Sequence, residues 1–453
     1  MPSVVPINLE KFAAGQPTGP DTVGDLCLGT EFKFLMLGLP RSEIDTTSPG
    51  SLLGCCQISS DDNRRMAHAA LARAIGMRTE KDSSLAAAEG TKLVQPQAVS
   101  KPDIVEGGLD EKDYWPTHWI VKKANSVEHR PEDPRPDSRC TNGVAVSVEL
   151  NSPKLAWKDT SVPPLVSKVL SRVRRFPTHV NYTCDVHVHI GRCDGTAFTL
   201  LTLKKLATVF WLAEPVIRSV RDPHSPNFTN KYTWGFEQRQ YSRLALAIEG
   251  RHPASDPVTV AQDVLVRIRS GPGDPENVAE WYQYMDGVGS SETQYEALRA
   301  IWRCTSSQEL GLLLSGSQRE HRRLGFNFSA FGGEDERSRT NPRTIEYRIL
   351  EGTLRDDLVQ GWLQICGKLV ELGMKGRQTD FHDIVQYLLS QQSTYEDFRL
   401  NRDLSPSWMF GPCGWRAQPS RSVLFAEFME RIGVSQAAYG PFQDKIQKEY
   451  RSV

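Results

Sequence analysis

The sequence predicts an α+β fold: a largely antiparallel sheet with helices packed on one side. Two observations carry this. Four short segments alternate apolar and polar residues with period two, and the longer segments after three of them carry apolar residues at helical spacing. Each predicted strand therefore has an apolar back and a charged front, whereas buried parallel strands read as continuous apolar runs.

In chain order, the first strand is LCLGTEFKFLML, residues 26 to 37, where Leu28, Phe32 and Phe34 face one way and Glu31 and Lys33 the other. The second, VAVSVELNSP at 144 to 153, alternates Val144, Val146, Val148 and Leu150 with Ser147 and Glu149. VPPLVSKVLSRVRRF follows as a helix candidate. The third strand, TCDVHVHIG at 183 to 191, places Asp185, His187 and His189 opposite Val186, Val188 and Ile190. After it, FTLLTLKKLATVFWLAEPVIRSV sets Leu203, Leu206 and Phe210 at helical spacing. The fourth strand, TIEYRIL at 344 to 350, alternates Ile345, Tyr347 and Ile349 with Glu346 and Arg348. The next helix carries Leu358, Trp362, Cys366 and Leu369 on one face, with a capping box at Thr353 and Asp356 and a stop at Gly373. Residues 39 to 60, 83 to 117 and 252 to 292 are rich in Ser, Gly, Pro and charge and read as loops or insertions.

Composition limits the function classes. A formal net charge of −1 implies no general attraction to nucleic acid or anionic membrane, so neither partner is expected. No apolar run approaches the ~20 residues of a spanning helix, and the first twenty residues lack a secretion-signal pattern, so the expected location is cytoplasmic. Nine cysteines without a CxxC pair suit reduced thiols. Asn181, Asn227 and Asn327 begin glycosylation-type triplets, read here as accidents of composition.

The shared front would carry Glu31, Glu149, Glu346, His187, His189, Lys33 and Arg348. Carboxylates with imidazole suit a hard divalent ion such as Mg²⁺ or Mn²⁺, and a neighbouring basic pair suits phosphate oxygens.

Gly29-Thr-Glu31, Glu149-Leu-Asn-Ser-Pro153, His187-Val-His189-Ile-Gly191, the Phe210 to Glu214 helix and Thr344-Ile-Glu346-Tyr-Arg348 with Gly352-Thr-Leu stand in a set order. Together they resemble the amidoligases common in fungi, a family assigned to the glutamine synthetase-like carboxylate–amine ligases. The resemblance covers roughly residues 25 to 375. It implies a tail over 1–24, a catalytic domain over 25–375 with insertions near 39–117 and 252–292, and a mostly helical extension over 376–453. It also implies a glutamine synthetase-like curved sheet with helices on its outer face, and ATP with Mg²⁺ or Mn²⁺ as cofactors. A small-molecule or peptide carboxylate would be phosphorylated and then captured by an amine. Glu31, Glu149, His187 and Glu346 would hold metal, and His189 and Arg348 would contact phosphates or the acyl phosphate.

The chain departs from the family at two places. Lys33 stands where a second acidic residue is usual, and would either neutralise phosphate or the substrate carboxylate, or extend its stem to solvent. The segment 221 to 232 lacks the usual Arg near Pro226, leaving Arg221, Lys231, Arg322 or Arg343 to contact phosphate. Two other readings remain: a non-catalytic scaffold that keeps the ligase fold, and a metal-dependent amidohydrolase using Asp185-x-His187-x-His189 on a parallel barrel.

Overall fold

The computed structural model describes residues 26–38, 60–77, 95–136, 145–222, 225, 237–250, 292–316, 323–332, 343–375, 378–392 and 421–449. The predicted tail over 1–24 and all but the last residue of the predicted insertion at 252–292 lie outside them, as do Lys231 and Arg322. The chain forms two compact units, a first of residues 27–188 with 351–360 and a second holding 189–350 and 361–453.

The first unit contains β1 (Leu26–Met36), α1 (Ser60–Gly76), β2 (Gln97–Ser100), α2 (Lys101–Glu106), β3 (His118–Lys122), β4 (Val146–Asn151), β5 (Leu155–Ala156), α3 (Val162–Val173), β6 (Thr178–His179) and the start of β7 (Val186–Arg192). Its strand order is β2-β3-β4-β1-β7, with β5 and β6 also on β1. β1 runs antiparallel to β4, pairing Glu31 with Asn151 and Lys33 with Glu149, and β3 runs antiparallel to β4, pairing Lys122 with Glu149. The short β2 is parallel to its neighbour, β3. On the apolar side Phe32, Phe34, Val148, Leu150 and Trp119 are buried, and Phe32 stacks on Trp119 with ring centres 6.4 Å apart.

The second unit continues with α4 (Leu200–Ile217), α5 (Gln238–Tyr241), α6 (Arg243–Ile248), α7 (Glu292–Arg303), α8 (Ser307–Leu313), β8 (Phe326–Asn327), α9 (Ser329–Gly332) and β9 (Ile345–Tyr347). The helices α10 (Asp356–Lys375), α11 (Gln378–Ser390), α12 (Arg421–Arg431) and α13 (Gln436–Glu449) follow. Here β9 lies between β7 and β8, antiparallel to β8. An aromatic cluster joins strand to helix. Phe210 of α4 stacks on Phe326 at 4.2 Å and meets Tyr347 edge-on at 5.4 Å, while Trp362 of α10 meets Tyr347 at 6.4 Å. The Tyr347 hydroxyl donates to the Cys366 carbonyl at 3.2 Å, so the ring is buried without stranding its polar tip.

The fold is thus α+β with a mostly antiparallel sheet, and not the parallel barrel that the amidohydrolase reading requires. Four expectations are corrected. Part of 83–117 is regular structure: residues 97–100 pair with β3, and Ser100 then caps α2 by accepting from the Asp103 amide at 3.3 Å. Thr353 forms a local turn, accepting from the Arg355 amide at 3.1 Å, in place of the predicted capping box. Gly373 does not stop α10 but lies inside it, because a Cβ there would come within 2.7 Å of Leu206 in α4. Finally, Cys27 is in a disulfide, and so is Cys193. Cys184, Cys304 and Cys366 are buried thiols outside any disulfide, and burial pushes the Cys184 thiol up to about 12. Among the described residues, no helix is long and apolar enough to cross a membrane.

Phe210→Ala should cost about 3–5 kcal/mol in urea-induced unfolding, because it empties the centre of the aromatic cluster. A loss below about 1 kcal/mol would show that the cluster does not hold α4 to β8 and β9.

Candidate functional site

In the first unit the charged front is built largely from paired groups. Strand alternation puts Glu31 and Lys33 of β1 on one face. His187 of β7 is completely buried, with its Nδ1 2.9 Å from Glu31 Oε2 and its Nε2 3.8 Å from Asp185 Oδ2. An ionised carboxylate can only accept, so Nδ1–H donates to Glu31 and leaves Nε2 as the atom that could ligate a metal.

Glu149 lies between two lysines in register, Lys33 on one side and Lys122 on the other. It is ion-paired to Lys122 at 3.2 Å. With its amide oriented to satisfy both atoms, Asn151 donates to Glu149 at 3.2 Å and accepts from Lys122 at 2.9 Å. Lys122 also reaches Glu111 at 3.3 Å, and Glu111 reaches Lys101 at 2.7 Å. Burial pushes the Lys122 ammonium down, but the charges of Glu149, Glu31 and Glu111 outweigh it and raise the pKa above its ordinary value.

In the second unit His189 stands two residues beyond His187 on β7. Its Nδ1 is 3.3 Å from Thr344 Oγ1 and its Nε2 3.7 Å from Glu346 Oε1, and its side chain is 30% exposed. Glu346 is anchored at both oxygens, Oε1 accepting from Arg348 and Oε2 from Asn327, each at 2.5 Å. Arg343 is half-buried at the approach to β9. Arg221 is fully buried and donates to the Ile349 carbonyl at 3.0 Å.

The open charged front expected from the alternation is corrected by this burial. His187, Glu346, Arg348 and most of Lys33 are buried. Charged groups tolerate this when partners stand beside them, and the sheet supplies them: Glu31 for His187, Arg348 and Asn327 for Glu346. Three such partners escaped the sequence reading. Lys122 sits in the short HWIVK strand, too brief to stand out, and Glu111 lies in a single helical turn. Asn327 registered only as a chance glycosylation-type triplet; its alternation with Phe326 and Phe328 was the available signal.

The helix motif ending at Glu214 has a structural task. Glu214 Oε1 accepts from the Gln238 amide at 2.7 Å and Oε2 from the Arg239 amide at 3.0 Å, tying α4 to α5. Burial raises its pKa to about 7, with the Glu237 charge adding to the effect and Arg218 and the two amides opposing it.

An α+β protein with acid–imidazole and acid–arginine groups on its strands is equipped to hold cations and oxyanions. The model of the family described as "Putative amidoligase enzyme" matches residues 25–258, just over half of the chain. The chain belongs to this family, whose description is of enzymes that form amide bonds. The family segment thus includes β1, β4, β7 and α4, and ends before β9. No curated protein and no solved structure matches the chain.

Two predictions follow from these contacts. His187→Ala should lose about 1–3 kcal/mol of stability, because it strips the donor from a partly buried carboxylate, while half-exposed His189→Ala stays within about 0.5 kcal/mol; equal losses in denaturant titrations would contradict the assigned burial. For Glu214, the folded pKa of about 7 lies above the ordinary glutamate value of 4.5, so the proton binds more tightly to the folded chain. Its contribution is complete below the unfolded pKa and is lost as pH rises through about 7. Glu214→Gln should therefore flatten the decline of stability between about pH 5 and 7, and an unchanged slope would rule out Glu214 as its source.

Proposed function

We propose that this chain is an ATP- and Mg²⁺-dependent carboxylate–amine ligase of the glutamine synthetase-like superfamily, forming an amide through an acyl phosphate. The observation that carries the reading is the pairing of His187 with Glu31 on neighbouring strands, within motifs of an amide-forming family.

The donor set fits a hard divalent ion. His187 presents the Nδ1–H tautomer, and carboxylates dominate the remaining groups. Glu31, Glu149 and His187 of the first unit would hold Mg²⁺ or Mn²⁺, as would Glu346 of the second, and the metal when bound neutralises phosphate oxygens during phosphoryl transfer. Glu149 carries this role together with its ion pair to Lys122, so its carboxylate is partly neutralised beforehand.

The chain's own residues then orient the reactants. Glu346 fixes the guanidinium of Arg348, which contacts phosphoryl oxygens. His189, less buried and held by Thr344, contacts the acyl phosphate. A substrate carboxylate oxygen bonds to the γ-phosphorus as ADP leaves; an amine nitrogen then bonds to the acyl carbon as phosphate leaves. Small-molecule or peptide acids and amines are the substrate class.

With a competent acid present, ATP should yield ADP, and hydroxylamine should trap the acyl phosphate as a hydroxamate. Formation of AMP and pyrophosphate instead would sink the acyl-phosphate mechanism. Glu31→Gln should weaken Mg-ATP binding in calorimetric titration, since it removes both a carboxylate charge and the acceptor that fixes His187.

A further inference from the structure

One residue of the Gly29-Thr-Glu31 segment has no task in the site described above. Glu31 faces the front of the sheet, so Thr30 beside it points to the back with Leu28 and Phe32. One step along the register from the row of Glu31, Asn151 and Ile120 lies the row of Thr30, Ser152 and Trp119, all within the first unit. The Thr30 amide donates to Ser152 Oγ and the Ser152 amide to the Thr30 carbonyl, each at 2.8 Å, so these two stand side by side.

Two polar atoms of this row are buried and, among the described residues, have no hydrogen-bond partner. They are the hydroxyl of Thr30, a residue 1% exposed, and the indole Nε1 of Trp119, a residue 0% exposed. Ser152 lies between them, but its hydroxyl donates to the Pro153 carbonyl at 2.8 Å, and one of its lone pairs is taken by the Thr30 amide. Trp119 leans over β4 toward β1: its ring stacks on Phe32, with centres 6.4 Å apart and planes 18° from parallel. Phe32 is the next side chain after Thr30 on that face, so the indole and the Thr30 hydroxyl are brought to the same place from opposite sides of β4. A donor or acceptor left dry in a protein interior is destabilising, and folded chains pair nearly all such groups with protein or with an ordered water.

We infer that Thr30 and Trp119 hold one buried water molecule that links β1 to β3 across the end of β4. Its oxygen accepts from the indole Nε1–H and from the Thr30 hydroxyl, and one of its hydrogens goes to the second lone pair of Ser152 Oγ. About three partners are usual for an internal water. The ligand must both accept and donate and must fit beside the packed rings of Phe32 and Trp119, which selects water over any larger polar molecule. This site stands apart from the ligase reading: Glu31 acts in front of the strand, while Thr30 ties the same strand to β3 behind it.

The test uses the full-length protein carrying isotope-labelled tryptophan, in which the indole resonance missing from Trp119→Phe identifies Trp119. The wild type should show magnetisation transfer from water to that Nε1–H proton. Thr30→Val, which keeps the shape and removes the hydroxyl, should weaken the transfer severalfold, whereas Thr30→Ser keeps the hydroxyl and should retain it. In urea titrations Thr30→Val should raise the unfolding equilibrium constant about fivefold, the size of one net hydrogen bond. A wild-type indole proton without contact to water overturns the site. So does a Thr30→Val variant more stable than the wild type, the result of removing a dry, unpaired hydroxyl. Transfer unchanged in Thr30→Val assigns the water to Trp119 alone and overturns the shared site.

Discussion

The structure depends on one constraint: an ionised group taken out of water must meet its partner where it stands. A carboxylate or ammonium buried alone costs at least several kcal/mol after relaxation, more than most single contacts return. Both units meet this constraint on their strands. In the first, Glu31 lies against His187 and Glu149 against Lys122; in the second, Glu346 is held by Arg348 and Asn327. These pairs also fix geometry. A carboxylate held at both oxygens cannot rotate, and an imidazole whose Nδ1 proton is committed has only one way to present its other nitrogen.

The apolar sides make those positions possible. Phe210, Phe326, Tyr347 and Trp362 hold α4 and α10 to the back of β8 and β9. Glu346 lies between Ile345 and Tyr347, so the packing of Tyr347 behind the strand sets where Glu346 stands in front. In the first unit Phe32 does the same between Glu31 and Lys33, stacked on Trp119. Gly352, in the family-like Gly-Thr-Leu turn, lets the chain pass against Cys184: its amide donates to the Cys184 carbonyl at 2.8 Å, and a Cβ there would lie 2.4 Å from that of Cys184.

Much of this was legible in the sequence, and the reasons for the remainder are specific. Period-two alternation located β1, β4, β7 and β9 because each has one apolar face, and 3.6-residue spacing located α3, α4 and α10. Alternation reports which side chains share a face. It does not report whether that face is wet, so His187 and Glu346 read as open ligands when they are buried. The partners of these groups lie far away in sequence: Glu31 is paired with a residue more than 150 positions later, and no local pattern records that. Gly373 misled because helix ends and close helix packing both select glycine. Cys27 and Cys193 misled because an odd cysteine count without regular spacing carries no pairing information.

β7 supplies both units from seven residues: Val186 to Val188 belong to the first and His189 to Arg192 to the second. A substitution at one of these positions disturbs the partners of one side chain. Inserting or deleting one residue reverses the facing of everything beyond it, turning a histidine inward and a valine outward. The segment is therefore intolerant of any change in length, and insertions compatible with a folded chain should accumulate on either side of it and not within it.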